Sequence, residues 1–132
     1  MDRFMQEAIG EAKATQAEGG FPFGAVLVRQ DRIIARGHNR TVQTGDPTSH
    51  AEIEAIRNAG TQESYKNTIM YATALPCIMC AGAIVRMGIP KVIVGATWTG
   101  DGSLEFMRSR GVEVIELNLE ACRKLLETHW NS

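Results

Sequence analysis

The sequence predicts an α/β protein, a three-layer α/β/α sandwich on a five-stranded mixed sheet, and three observations carry that prediction. Short runs of β-type composition alternate with helical runs after an opening pair of strands, the order in which helices come to cover both faces of a sheet. The run Lys91 to Ala96 has no polar residue after its first, as expected of a strand covered on both faces. A helical stretch stands between the last two strand candidates, so a crossover joins them and they pair in parallel.

Taken in order, Asp2 caps a helix whose apolar side is Phe4, Ala8, Ile9 and Ala12, stopped by Gly19-Gly20. Phe23 to Arg29 and Arg32 to His38 form a hairpin around a tight polar turn at Gln30-Asp31. Asn39 to Ser49 has no apolar period and contains Gly45, Asp46 and Pro47, which makes it a loop. A helix follows from His50 to Ala59, ended by Gly60, and then a third strand from Thr68 to Thr73. Pro76 opens a second major helix, which runs to Met87 with Gly88 as its terminal glycine. After the Lys91 to Ala96 strand come a short helix from Leu104 to Arg110, a fifth strand from Val112 to Leu117, and a closing helix from Leu119 to Trp130. Leu125 and Leu126 mark the inner side of that last helix.

At 132 residues the chain has room for one domain, 1–132, and for a full core. Hydrophobic residues at 44% and charged residues at 22% are values of a soluble protein, and no apolar run approaches the ~20 residues that span a bilayer. The acidic amino terminus lacks a secretory pattern, so a cytoplasmic location is expected. A net charge of −1 gives no broad electrostatic footprint for a polyanion, which argues against a nucleic-acid partner. Three cysteines, two of them in a Cys-x-x-Cys, point to metal rather than a disulfide framework, and Cys122 is expected to be buried.

The chemistry concentrates in Pro47-Thr48-Ser49-His50-Ala51-Glu52 and Pro76-Cys77-Ile78-Met79-Cys80. A histidine and two cysteines offer Zn²⁺ three ligands and leave one tetrahedral position for water, the pattern of a catalytic site, with Glu52 as a spare carboxylate. Other readings stand beside this one. Ser49-x-x-Glu52 is also a capping box, and Cys77 and Cys80, at i and i+3, could be small buried residues on one helix face. His50 and Glu52, at i and i+2, would diverge by about 200° on a regular helix, so periodicity does not aim both at one metal.

His-x-Glu followed by Pro-Cys-x-x-Cys is the signature of zinc nucleobase deaminases, and at these residues the chain resembles the cytidine deaminase-like superfamily. The resemblance covers nearly the whole chain and is greatest to the fungal-type, free-base cytosine deaminases. The matching pieces are Gly-Gly-Phe-Pro-Phe-Gly at 19–24, Arg-Gly-His-Asn at 36–39, Gly-Ala-Ile at 82–84, Gly-Ile-Pro at 88–90 and Arg-Gly-Val-Glu-Val at 110–114. It implies His50, Cys77 and Cys80 as zinc ligands, Glu52 as proton shuttle, Asn39 and the Ala51 amide as contacts to the base, and Phe23 in the pocket wall. From the residues alone Asn39 reads as a turn residue and Phe23 as core.

Leu75 departs from the serine or glutamate usual before the proline, and the chain stops at Ser132, before the acidic and aromatic segment that closes over cytosine in the fungal enzymes. Trp98 or Trp130 could take over as lid, while His38 and His129 are read as structural or exposed polar residues. The resemblance also implies a homodimer, for which Ala81 to Met87 offers an apolar face with small residues; the alternative is that this face packs on the protein's own sheet.

The reaction expected is hydrolysis of cytosine to uracil and ammonia. A tRNA adenosine deaminase is the main alternative, since that family shares Asp46-Pro47-Thr48 and the Cys-x-x-Cys-Ala-Gly-Ala of 77–83. Against it, the segment from Glu113 onward carries four glutamates against Arg123 and Lys124 and no basic tail. Guanine or another amino-heterocycle is a third substrate choice. From another class, a structural zinc module would need a fourth protein ligand, from His38 or Cys122.

Overall fold

The structure is a computed structural model and describes residues 2–130, with the side chain of Trp130 outside the description. Its elements are α1 (Arg3–Ala17), β1 (Gly24–Arg29), β2 (Arg32–His38), α2 (Thr41–Thr44), α3 (Ala51–Ala59), β3 (Thr68–Ala74), α4 (Ile78–Met87), β4 (Lys91–Ala96), α5 (Ser103–Ser109), β5 (Glu113–Glu116) and α6 (Glu120–Trp130). The five strands make one sheet in the order β2-β1-β3-β4-β5. β1 runs antiparallel to both β2 and β3, while β3, β4 and β5 are parallel. This is the mixed sheet the sequence predicts.

Side-chain alternation along the strands builds the layers. From β1, Ala25 and Leu27 join Ala51, Ala55, Ala81, Ile84 and Met107, the inner faces of α3, α4 and α5. Val26 and Val28 point the other way, into Phe4, Ala8, Ile9 and Ala12 of α1 and Cys122, Leu125 and Leu126 of α6. Both faces of the sheet are therefore covered, which is why β1 and β4 are nearly continuous apolar runs. No helix is long and apolar enough to cross a membrane.

Two glycines set how closely the helices approach. A Cβ on Gly24 would fall on backbone atoms of Ala8 and Ala12 in α1, and one on Gly37 on backbone atoms of Ala51 and Ala55 in α3. The hairpin turns at Gln30 and Asp31, whose φ of 50° and 60° give the paired left-handed residues of a two-residue turn matched to strand twist.

Three expectations need correction. The segment 39–49 is not all loop, for Thr41–Thr44 forms one helical turn; at four residues it is too short to show an apolar period. The capping box does not form, because His50 rather than Ser49 is the N-cap of α3 and no side chain caps it. Ala81 does not lie on an exposed face: it is fully buried in the core between α4 and the sheet, and the outward row of α4 is Ile78, Met79 and Gly82.

Candidate active site

The mixed sheet brings four chain segments to one edge. β1 is antiparallel to β3, so the residue before β1, Phe23, lies beside the residues after β3, Leu75 to Cys77. By the same logic Asn39, after β2, and Trp98, after β4, come to that edge. In the parallel half this is the crevice outside the carboxyl ends of strands, where open α/β sheets bind ligands. A cavity of about 420 Å³ opens there, lined by Phe23, Asn39, His50, Ala51, Glu52, Cys77 and Trp98 among others.

His50 and Cys77 occupy equivalent places, each the N-cap of its helix with extended backbone, φ/ψ of −72°/159° and −70°/174°. This resolves the angular problem posed by His50 and Glu52: His50 sits before the helix begins, so the 100° step does not govern its direction. Asp46 bends the approach to His50, its Oδ1 accepting bonds from the Thr48 amide at 2.9 Å and the Thr48 hydroxyl at 2.7 Å. On the other helix, the Asp101 carboxylate accepts a bond from the Ile78 amide at 3.0 Å, steadying the amino end of α4.

The Nδ1 of His50 lies 3.5 Å from the Sγ of both Cys77 and Cys80. A tetrahedral zinc, with bonds of about 2.1 Å to nitrogen and 2.3 Å to sulfur, requires an N···S edge of about 3.6 Å. The donor set and its spacing therefore fit zinc. All three ligand atoms lie within 4.8 Å of one another. Neither proposed fourth ligand joins them: the His38 ring is held by Glu11 at 3.0 Å and Glu18 at 3.2 Å, and Cys122 is buried between α6 and β4. Among the described residues the group stays at three, as an open, catalytic site requires and a closed structural one does not.

The electrostatics follow from crowding. A hydrogen bond from the Cys80 thiol, reinforced by His50, pulls Cys77 down to about 4, while that bond and burial push Cys80 up. The metal-free pair thus shares one proton, which a metal must displace. The bond to Cys77 raises His50, with Glu52 adding to the effect. Glu52 is 7% exposed, and burial drives its carboxyl to about 7, helped by the charge of Cys77.

The eight residues expected to hold metal or substrate, Phe23, Asn39, His50, Ala51, Glu52, Cys77, Cys80 and Trp98, reach this place. Seven line the cavity, and Cys80 stands behind them in the metal group. Trp98 is a wall rather than a free flap, its Nε1 donating to the Leu75 carbonyl at 2.8 Å. His129, read from sequence as structural or exposed, lines the cavity from α6, its ring edge-on to Phe21 at 4.7 Å and Phe23 at 5.1 Å between centroids. The signal was available, since His129 follows Leu126 by three residues on the inner side of α6. Trp130 as a lid lies outside the described side chains.

The cytidine and deoxycytidylate deaminase zinc-binding region matches residues 1–96. The chain belongs to this deaminase family. It is 34% identical over 125 residues to the cytosine deaminase of Candida albicans, covering 92% of this chain and 83% of that one. It is 35% identical over 129 residues to a tRNA-specific adenosine deaminase of Buchnera aphidicola, covering 96% and 82%. A solved structure of the tRNA:A34 deaminases that edit A to I at the wobble position superposes with a TM-score of 0.84 at 32% identity, covering 93% of this chain and 98% of that one. The protein is therefore a zinc-binding hydrolytic deaminase, acting on a C–N bond, with the family's α/β fold.

Proposed function

We propose that this deaminase acts on a free nucleobase and converts cytosine to uracil and ammonia. The observation that carries the reading is the cavity wall. It is built from Phe21, Phe23, Leu75, Trp98 and Leu126 and contains no lysine or arginine among the described residues. A flat heterocycle gains from such a wall, whereas a polynucleotide needs cations for its phosphates.

His50, Cys77 and Cys80 are assigned as the zinc ligands, and zinc, when bound, supplies a water acidified toward neutral pH. Glu52 is assigned as the proton carrier. Burial raises its carboxyl, which suits a group that both takes and gives a proton, and its buried place keeps solvent from competing. It removes a proton from the water attacking C4, delivers it to N3, and later moves the hydroxyl proton to the exocyclic amine. The C4–N bond breaks, ammonia leaves, and a carbonyl remains. The Ala51 amide, at the free amino end of α3, and Asn39 hold the base, with Phe23 and Trp98 on either side. A homodimer through the outward row of α4, a cytoplasmic location and a place in pyrimidine salvage belong to the same reading.

The kinship to tRNA-specific adenosine deaminases supports a second reading, adenosine to inosine in tRNA. Steady-state rates on cytosine, cytidine, guanine and a tRNA anticodon stem-loop decide between them. Highest kcat/KM on cytosine is expected; a higher value for the stem-loop overturns the proposal in favour of the second reading.

A further inference from the structure

We infer that Asp101 is a positioning residue for the metal centre: its carboxylate fixes the turn from which Cys77 faces His50, and Trp98 braces the other side of that turn. The inference rests on the assignment of Cys77 as a zinc ligand. Asp101 itself is not among the described residues that line the cavity. An N-cap residue ordinarily holds its helix start with its side chain, yet Cys77, the N-cap of α4, makes no such capping bond. Its Sγ lies instead 3.5 Å from His50 Nδ1. Sulfur is a weak acceptor, and one committed to a metal leaves the orphan amides of its helix start to find partners elsewhere.

Asp101 supplies the acceptor from another segment. Its Oδ2 accepts from the amide of Ile78, the residue directly after Cys77, at 3.0 Å, and its Oδ1 accepts from the Ser103 amide at 3.2 Å at the start of α5. One carboxylate therefore joins the beginnings of α4 and α5, and its charge complements the dipole of α4. The loop is shaped to present it, for Gly100 and Gly102, on either side of Asp101, have φ of 85° and 90°, in the left-handed region that favours glycine.

On the other side of the ligand, the Leu75 amide donates to the Ala96 carbonyl at 2.9 Å, and the Leu75 carbonyl accepts from Trp98 Nε1 at 2.8 Å. Pro76, next in line, has no N–H to place and is fully buried. The segment Leu75 to Ile78 is thus held at both ends by β4 and the loop after it, with the ligand sulfur between the two anchors. His50 and Cys77 stand at the starts of different helices, so the distance between their ligand atoms depends on where α4 begins. Groups that orient a metal ligand from behind it are worth about 10–100-fold in metal affinity, and Asp101, acting through the neighbouring amide at an exposed position, belongs at the lower end of that range.

The test uses the full chain and the variants Asp101→Ala, Asp101→Asn, Trp98→Phe and Thr97→Val. Zinc affinity is measured by competition with a chromogenic chelator, and the cobalt-substituted proteins are compared by their thiolate charge-transfer and d–d absorption bands. Asp101→Ala should weaken zinc binding about tenfold and shift the cobalt bands. Asparagine keeps an oxygen for the Ile78 amide, so Asp101→Asn should stay within about threefold of wild type with the bands in place. Trp98→Phe keeps a ring but loses the Nε1 donor, and should weaken zinc binding about fivefold. Thr97→Val removes the bond from the Thr97 hydroxyl to Glu116 Oε1, 3.1 Å long, in the same loop but away from the Cys77 turn, and should change neither readout. Zinc affinity and cobalt bands unchanged in Asp101→Ala overturn the role of Asp101. Equal losses in Asp101→Ala and Thr97→Val assign the effect to general loosening of the loop and overturn it as well, and an Asp101→Asn protein as weak as Asp101→Ala overturns the hydrogen bond as its cause. Wild type that takes up no zinc, or whose cobalt form lacks thiolate charge transfer, defeats the cysteine ligand assignment itself, a failure distinct from that of the brace.

Discussion

Replacing Glu52 by glutamine should make the metal-free protein more stable, and by an amount that depends on pH. The carboxyl lies buried at the start of α3, and desolvation moves it from 4.5 to about 7. Between those values the folded chain holds a proton that the unfolded chain has already released, so stability falls as pH rises across the window. Below about 4.5 both states are protonated and the loss is absent; above about 7 it is complete. Its full size is roughly 3 kcal/mol, at 1.36 kcal/mol for each factor of ten in acidity. Glutamine keeps the shape and cannot ionise. Glu52→Gln should therefore match wild type near pH 4.5 and exceed it by up to roughly 3 kcal/mol at pH 8, or about 10 °C in Tm for a domain of this size. Urea unfolding of both proteins in chelator, at pH steps from 4.5 to 8, measures the difference. A gain that is the same at both ends, or no gain at pH 8, refutes the assignment of burial as the cause.

The same site yields further outcomes. Glu52→Ala should keep one zinc per chain while losing nearly all turnover, at least about a hundredfold, because the carboxylate is assigned to proton transfer and not to ligation; metal analysis beside ammonia release checks it. In the metal-free chain at pH 7, iodoacetamide should modify Cys77 first, as its thiol sits at about 4, and the buried Cys80 and Cys122 much later, as the bond to Cys77 with burial raises the one thiol and burial raises the other; peptide mass spectrometry over time gives the order. Gly37→Ala should cost about 1–3 kcal/mol, since the added methyl meets the backbone of α3 and must displace the helix that carries Glu52; denaturant unfolding reads the loss, and zinc affinity should fall with it. Light scattering at micromolar concentration should give the mass of a dimer; monomer alone removes the α4 interface.

Most of the fold was legible because its signals are local. Gly60 and Gly88 end α3 and α4 at φ of 72° and 81°, and the order of runs fixed the sheet's content. Element ends moved by one or two residues where the terminal residue has a non-helical backbone, as at His50 and Cys77, and no propensity marks a metal ligand serving as N-cap. The site was legible in its zinc motif because each half, His50-Ala51-Glu52 and Cys77 to Cys80, is a short local pattern at a helix start. What was not legible is long-range. Thr15 reaches Asn39 through folded geometry, and His129 meets Phe21 and Phe23 across the molecule. No spacing rule connects positions so far apart.

The stability cost at this edge explains why the rest of the chain is packed as it is. Glu52 is a buried carboxylate at the start of a helix, Cys77 and Cys80 divide one proton, and Asn39 is a buried amide beside the cavity. Folding alone would favour removing each of them. The opposing gain lies in the two apolar layers, where Met5, Leu27, Met70 and Ile84 are fully buried. Glycine at 24 and 37 lets α1 and α3 lie directly on the hairpin, which strengthens that packing and also fixes where the amino end of α3 stands. The close contact of α3 on β2 sets the position of His50, Ala51 and Glu52 relative to Asn39 at the end of the same strand. Packing and chemistry are coupled through that contact, so a substitution such as Gly37→Ala should lower stability and the site's zinc affinity together, while Glu52→Gln should move stability and activity in opposite directions.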